Sequence, residues 1–269
     1  MLANARHLDP ALGVKPLDFG LDGVTGSVDA CGRLIALNTY HPQHGYATLA
    51  VAEPFAEQRR YDPASVRTYR AALAAQDGFG PHIDSPLSER AAYLLDDAIP
   101  HVRLRFENGA VARSTTFAHA GGAIQIWDIE GELPRWKGNL ALQRCAYTQL
   151  TEGGPLLMPD TLNRVTYRDG VLVIDNPALP LAAAIAGLPH VPPWTQETRQ
   201  PVPLDFPGSE GTTVLAYGFG TDAATAHRNA RALLRTDARQ ALDVHRQQWR
   251  TWLANVPESA SLRRGLVYG

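Results

Sequence analysis

Hydrophobic and polar positions alternate with period two through much of the first 220 residues, the pattern of strands packed on one face and solvated on the other. Its organising stretch is Leu21-Asp-Gly-Val-Thr-Gly-Ser-Val-Asp29-Ala-Cys-Gly-Arg-Leu-Ile-Ala-Leu-Asn38-Thr-Tyr-His-Pro-Gln-His-Gly-Tyr46. Apolar runs at 24–28 and 34–38 flank a connection of hairpin length in which Gly32 can take positive φ. This predicts a β-hairpin that starts the fold and leads into an aromatic, histidine-rich loop. Another strand is expected over 45–55. Residues 56–97 mix charges with turn formers and read as an irregular insertion with short helices at 66–75 and 87–96. From His101 the alternation is clearest: strands at 101–106, 111–117 and 123–129 are joined by Glu107-Asn-Gly-Ala and Gly121-Gly122. A further strand is expected over 140–150, and Asp169-Gly170 makes a hairpin of 164–168 with 171–174. Eight prolines between 176 and 207 predict an extended surface wrap without regular structure. A last strand is expected at 212–217.

After residue 220 the period becomes helical. Asp222 is placed to cap a helix with the apolar face Ala223, Ala226, Ala230, Leu233 and Leu234. Thr236 is expected to cap a second, with Ala238, Ala241, Leu242, His245, Trp249, Trp252 and Leu253 on one side, ended by Pro257. A third helix is expected from Ser259. The fold class is therefore mainly β: a large antiparallel β-supersandwich over 1–220 followed by a helical linker over 221–269.

Composition narrows the partners. A formal net charge of −2 offers no field to nucleic acid or an anionic membrane, so neutral ligands are expected. Two cysteines, Cys31 and Cys145, are too few for a disulfide framework and lack metal-ligand spacing. The first residues lack the features of a signal peptide and no apolar run is long enough to span a bilayer, which makes a cytoplasmic protein the expectation.

Four motifs carry candidate chemistry. Gly218-Phe-Gly220-Thr-Asp-Ala223 matches a dinucleotide fingerprint locally, but a helix follows where a parallel strand is needed, so it reads as a tight strand-to-helix turn. His41 and His44, with His82 and Asp84, lie on loops at spacings that fix no zinc geometry, and no metal or other cofactor is expected. The same loop, with Tyr40, His41, His44 and Tyr46, suits stacking on and hydrogen bonding to a neutral sugar. Trp127 and Asp128 are candidates for the same role. Asp128 and Glu130 would share a strand face about 7 Å apart, a spacing that permits an acid/base pair, with Glu132 close by. A solvated, acid-rich strand end is the plainer reading. Pro207-Gly-Ser-Glu-Gly211 is not a nucleophile elbow, because its glycines are at the wrong offset.

The order of parts, from Gly23-Val-Thr-Gly-Ser-Val-Asp29-Ala-Cys-Gly32-Arg-Leu through the Tyr40-His-Pro loop to Leu215-Ala-Tyr-Gly-Phe-Gly220-Thr and Trp249-Arg-Thr-Trp252-Leu253, resembles the N-terminal half of glucoamylase-type glycoside hydrolases. In that group a β-supersandwich precedes an (α/α)6 barrel through a helical linker. The resemblance implies a non-catalytic sandwich that supports the rim of a barrel acting on α-glucans or related oligosaccharides. It implies no catalytic residue in this chain, because the family carries its general acid and base on the barrel. Trp249, Trp252 and Leu253 are then expected at the junction with that barrel, whether missing from the chain or separately encoded. The alternatives are a stand-alone carbohydrate-binding or scaffold sandwich, and the sandwich of a related disaccharide phosphorylase.

Overall fold

A computed structural model describes residues 17–21, 23–41, 45–50, 78–94, 99–131, 134–146, 156–157, 162–176, 180–198, 202–208 and 211–255. Among the described residues, seventeen antiparallel strands form two sheets that face each other, followed by two helices. The first sheet runs β1 (Leu17–Leu21), β2 (Val24–Val28), β3 (Leu34–His41), β4 (Gly45–Ala50), β10 (Arg135–Ala146) and β11 (Leu156–Leu157). The long β10 also pairs through its first half with β5 (Gly80–His82) and β16 (Val202–Pro207). The second sheet is ordered β15 (Trp194–Thr198), β12 (Asn163–Arg168), β13 (Val171–Asp175), β14 (Ala182–Ala186), β17 (Gly211–Gly220), β9 (Gly122–Glu130), β8 (Val111–His119), β7 (Pro100–Phe106) and β6 (Leu87–Leu94). The expected sandwich with helices after it is thus the observed architecture.

Turn chemistry sets the registers. Asp169 and Gly170 both adopt positive φ, 51° and 75°, which joins β12 to β13 in a two-residue hairpin. Between β2 and β3 the Asp29 carboxylate accepts from the backbone N–H of Cys31 (2.8 Å) and Arg33 (2.9 Å) and pairs with the Arg33 guanidinium (2.8 Å). Gly32 has φ +75°, and a Cβ there would strike Ser114 of the opposite sheet. The hairpin tip is therefore inside the sandwich. Its Gly32 carbonyl accepts from Gln125 Nε2 (2.7 Å), Gln125 Nε2 also donates to Thr116 (3.1 Å), and Tyr217 donates to Gln125 Oε1 (3.1 Å). All of this is buried, and burial pushes the Tyr217 phenol far up.

The second sheet is covered on both faces. Its inner face meets the first sheet around Trp127, Trp136, Tyr167 and Phe206. On its outer face lie α1 (Ala223–Arg235), which buries Ala226, Ala230 and Leu233, and α2 (Ala238–Ala254), which buries Ala241 and His245. Phe117, Ile124 and Ile99 receive α2, and His245 Nδ1 lies 2.8 Å from the Ala118 carbonyl oxygen. Under α1 the sheet presents mainly small groups, with Val171 and Val173 at one side. Ala182, Ala184 and Ala186 face Ala226 and Ala230, and a Cβ on Gly218 or Gly220 would collide with the helix backbone at Ala230 or Ala226. The nucleotide-like glycines exist for that close approach.

Several expectations are corrected. Strand β1 precedes the first hairpin and pairs along all of β2, so the hairpin does not start the fold. The helix expected at 87–96 is strand β6, paired with β7. Residues 176–207 hold three strands instead of an irregular wrap: prolines cluster between strands, and those in β16, Pro203 and Pro207, sit at exposed positions of a strand whose pairing is with β10 alone. Asp237, not Thr236, caps the second helix, accepting from the N–H of Arg239 and Gln240 at 2.9 and 3.1 Å. Asp222 caps α1 as expected, accepting from Thr225 N–H at 2.7 Å. The expected helices at 66–75 and beyond 259, with Pro257, lie outside the described residues.

Two outcomes test these contacts. Gly218→Ala drives a methyl into the α1 backbone and is expected to lower stability by about 1–3 kcal/mol in urea denaturation, with loss of helical signal in step with sheet. The Asp222 carboxyl is held below its ordinary pKa by the Thr225 backbone N–H, so its stabilising effect is full above the unfolded value of about 3.9 and is lost as pH falls through the lowered folded value. The Tm difference between the wild type and Asp222→Ala should be level above about pH 5 and shrink steadily on acidification.

Candidate functional site

Among the described sugar-contact candidates, Tyr40, Trp127 and Asp128 do not converge. Tyr40 lies near the end of β3, 52% exposed, and shares the outward side of the first sheet with Thr25 and Asn38. Tyr46 is opposite it in register and His41 opposite Gly45. The side chains of His41 and Tyr46, and His44 altogether, lie outside the described residues, as does Glu132. Asp128 is on the outward side of the second sheet, so it and Tyr40 occupy opposite faces of the sandwich.

Trp127 is a correction. Its indole is 0% exposed, packed edge-to-face on Trp136 with ring centroids 6.2 Å apart, and turned into the core that the strand alternation dictates. It has no face to offer a ligand in solvent. Asp128 and Glu130 do share one exposed side, as expected. Each already has a partner: Thr212 Oγ1 donates to Asp128 (2.6 Å) and Arg113 Nη1 to Glu130 (2.6 Å). These bonds make an exposed ladder, bordered on the same face by Ile126 and Val214, where the start of α2 packs. His82 and Asp84 approach only to 3.7 Å, and among the described residues no three His, Cys, Asp or Glu side chains gather in one place.

Trp249, Trp252 and Leu253 occupy the last turns of α2. The two indoles meet edge-to-face at 5.1 Å; Trp249 and Leu253 are half-buried, whereas Trp252 is 45% exposed. Val244, on the same helix, is also exposed. The stripe that meets the sheet through Ala241 and His245 thus runs on along the same face to Trp249 and Trp252, where it becomes partly solvent-facing.

A concave site lies elsewhere, between the flank of α1 and the outward faces of β12 and β13. It is a cleft of about 470 Å³, within the usual range for small-molecule sites. Arg164, Thr166 and Arg168 alternate outward along β12, and Asp175 stands opposite Arg164 on β13 and bonds to its Nη2. Val171 and Val173 form the apolar floor, and Ala223, Ala224 and His227 of α1 form the wall. Arg168 pairs with Asp169 at 3.3 Å on the rim, and Arg231 Nη2 donates to the Asp169 carbonyl (3.0 Å), tying α1 to the β12–β13 turn. Burial, and secondarily the charge of Arg231, hold the His227 imidazole below its ordinary pKa and therefore neutral at pH 7. Sequence reading missed this cleft. The alternation of Arg164, Thr166 and Arg168 reads as a solvated strand face, and nothing local says that a helix will run beside it.

No family model matches the chain, and neither does any curated protein. Five solved chains match, among them a bacterial glucoamylase complexed with acarbose. The match is 10% identical at a TM-score of 0.45 and covers 90% of this chain and 36% of that one. The chain thus spans about a third of that enzyme's length. Among the described residues no helix is long and apolar enough to cross a membrane.

Core and surface aromatics should separate cleanly. Trp127→Ala is expected to cost about 3–5 kcal/mol in chemical denaturation, while Tyr40→Ala stays within about 0.5 kcal/mol of wild type.

Proposed function

We propose that this chain is the non-catalytic β-sandwich and helical linker of a glycoside hydrolase acting on α-glucans or related oligosaccharides, built to dock a helical catalytic barrel. The observation that carries the reading is the solvent-facing region of α2, where Trp249 and Trp252 pack on each other and Trp252 and Val244 stay exposed. The apolar stripe that packs on the sheet through Ala241 and His245 continues along the same face to an exposed indole at Trp252, and exposed indoles are favoured anchors at interfaces. The order of sequence patches that resembles glucoamylase-type enzymes supports a helical partner. The carboxylates of Asp128 and Glu130 support a non-catalytic sandwich, because each is already engaged by a neighbouring side chain on an exposed strand face.

In this reading the purified chain releases no glucose from maltotriose, trehalose or soluble glucan above a protein-free control. Turnover that disappears in Asp128→Asn or Glu130→Gln would place a site on the sandwich and overturn it. The protein made from the native locus should carry, or co-purify with, a domain of paired amphipathic helices, and Trp252→Asp should weaken that association at least tenfold. A native product with no such domain or partner would favour a stand-alone sugar-binding module.

A further inference from the structure

We propose that the cleft between α1 and β12 binds a neutral polyhydroxylated ligand of mono- to disaccharide size. The proposal rests on the carbohydrate reading above for the choice of a sugar among such ligands; the cleft's own chemistry argues for the rest.

Its polar groups come as both donors and acceptors, and each guanidinium has a carboxylate partner, Arg164 in Asp175 and Arg168 in Asp169 of the rim. Arg164 and Asp175 form an ion pair across β12 and β13, with side chains 49% and 16% exposed. Asp175 engages Nη2 of a guanidinium that carries five N–H groups, so the pair presents donors beside a carboxylate acceptor, an arrangement suited to neighbouring hydroxyls. Thr166 adds a hydroxyl two residues along the same strand, and His227 adds a neutral imidazole that donates from one nitrogen and accepts at the other. Between these groups Val173 and Ala223 give an apolar surface for the C–H face of a sugar ring.

An anion fits less well. Asp175 neutralises Arg164, Asp169 pairs with Arg168 at 3.3 Å on the rim, and Asp222 takes the Thr225 N–H at the start of α1, so the helix terminus is capped from within the chain. A cation fits no better, because the lining carboxylate already has its guanidinium. In the cleft α1 rises beside the strands and lets a ligand be touched from two sides.

The test is an amide NMR titration of the full chain with glucose, maltose and trehalose, with inorganic phosphate as the anionic probe. At least one sugar is expected to give saturable shifts at Thr166, Val173 and His227. Affinity should fall at least tenfold in Arg164→Gln and in His227→Leu, with Thr166→Val as a further variant if either loses its folded spectrum. Trp252→Asp should bind as the wild type does. Saturable shifts confined to Tyr40 or Asp128 and their neighbours would overturn the cleft while leaving the carbohydrate reading standing. Shifts at the cleft with phosphate but none with the sugars would overturn the ligand class. No response to any probe would also overturn the cleft proposal, while the barrel-docking reading is decided separately by the native-locus measurement.

Discussion

The first helix rests its backbone almost directly on the second sheet, and this contact governs much of the molecule. Gly218 and Gly220 on β17 and the alanines of β14 leave no side-chain layer between strand and helix, and Ala226 and Ala230 meet them from above. So close an approach buries β14 on both faces, which is why its sequence is a continuous apolar run in a protein whose other strands mostly alternate. It also holds α1 low over β13. Its flank then becomes the wall of the cleft that β12 lines from below.

The two sheets are joined by more than apolar packing. The tip of the β2–β3 hairpin penetrates the sandwich, and its Gly32 carbonyl finds a donor in Gln125 of the far sheet, itself held by Tyr217 and Thr116. Each such bond contributes only about 1 kcal/mol net, yet leaving one of these buried groups without a partner would cost about 1–3 kcal/mol. The network therefore acts chiefly against other alignments of the sheets. Any slip of the hairpin strands the Gln125 amide, and any side chain at residue 32 meets Ser114.

Function follows from where the faces end up. Strand alternation turns Trp127 inward and Asp128 outward, so adjacent residues that look alike as sugar contacts have opposite fates. The outer ladder is polar and exposed, Trp252 of α2 is apolar and exposed, and the cleft beside α1 is mixed and walled. The three surfaces therefore differ in polarity and in shape.

Local chemistry was enough to read the hairpins, since Asp169-Gly170 and the 29–33 turn declare their geometry within a few residues and period-two alternation follows on either side. The Asp222 cap and the apolar stripe of α1 were legible for the same reason. Tertiary structure alone decided whether 87–94 would be helix or strand, because the choice depends on pairing with β7 and not on propensity. It alone recruited the proline-rich segment into both sheets, through partners tens of residues away in the chain. The cleft belongs to the same class: Arg164, Asp175 and His227 are unremarked singly, and they meet only because small residues under α1 let the helix settle beside β12. Sequence by itself determined the strands' turns and faces, which are short-range properties; the fold decided which faces would meet, because burial is shared between distant segments.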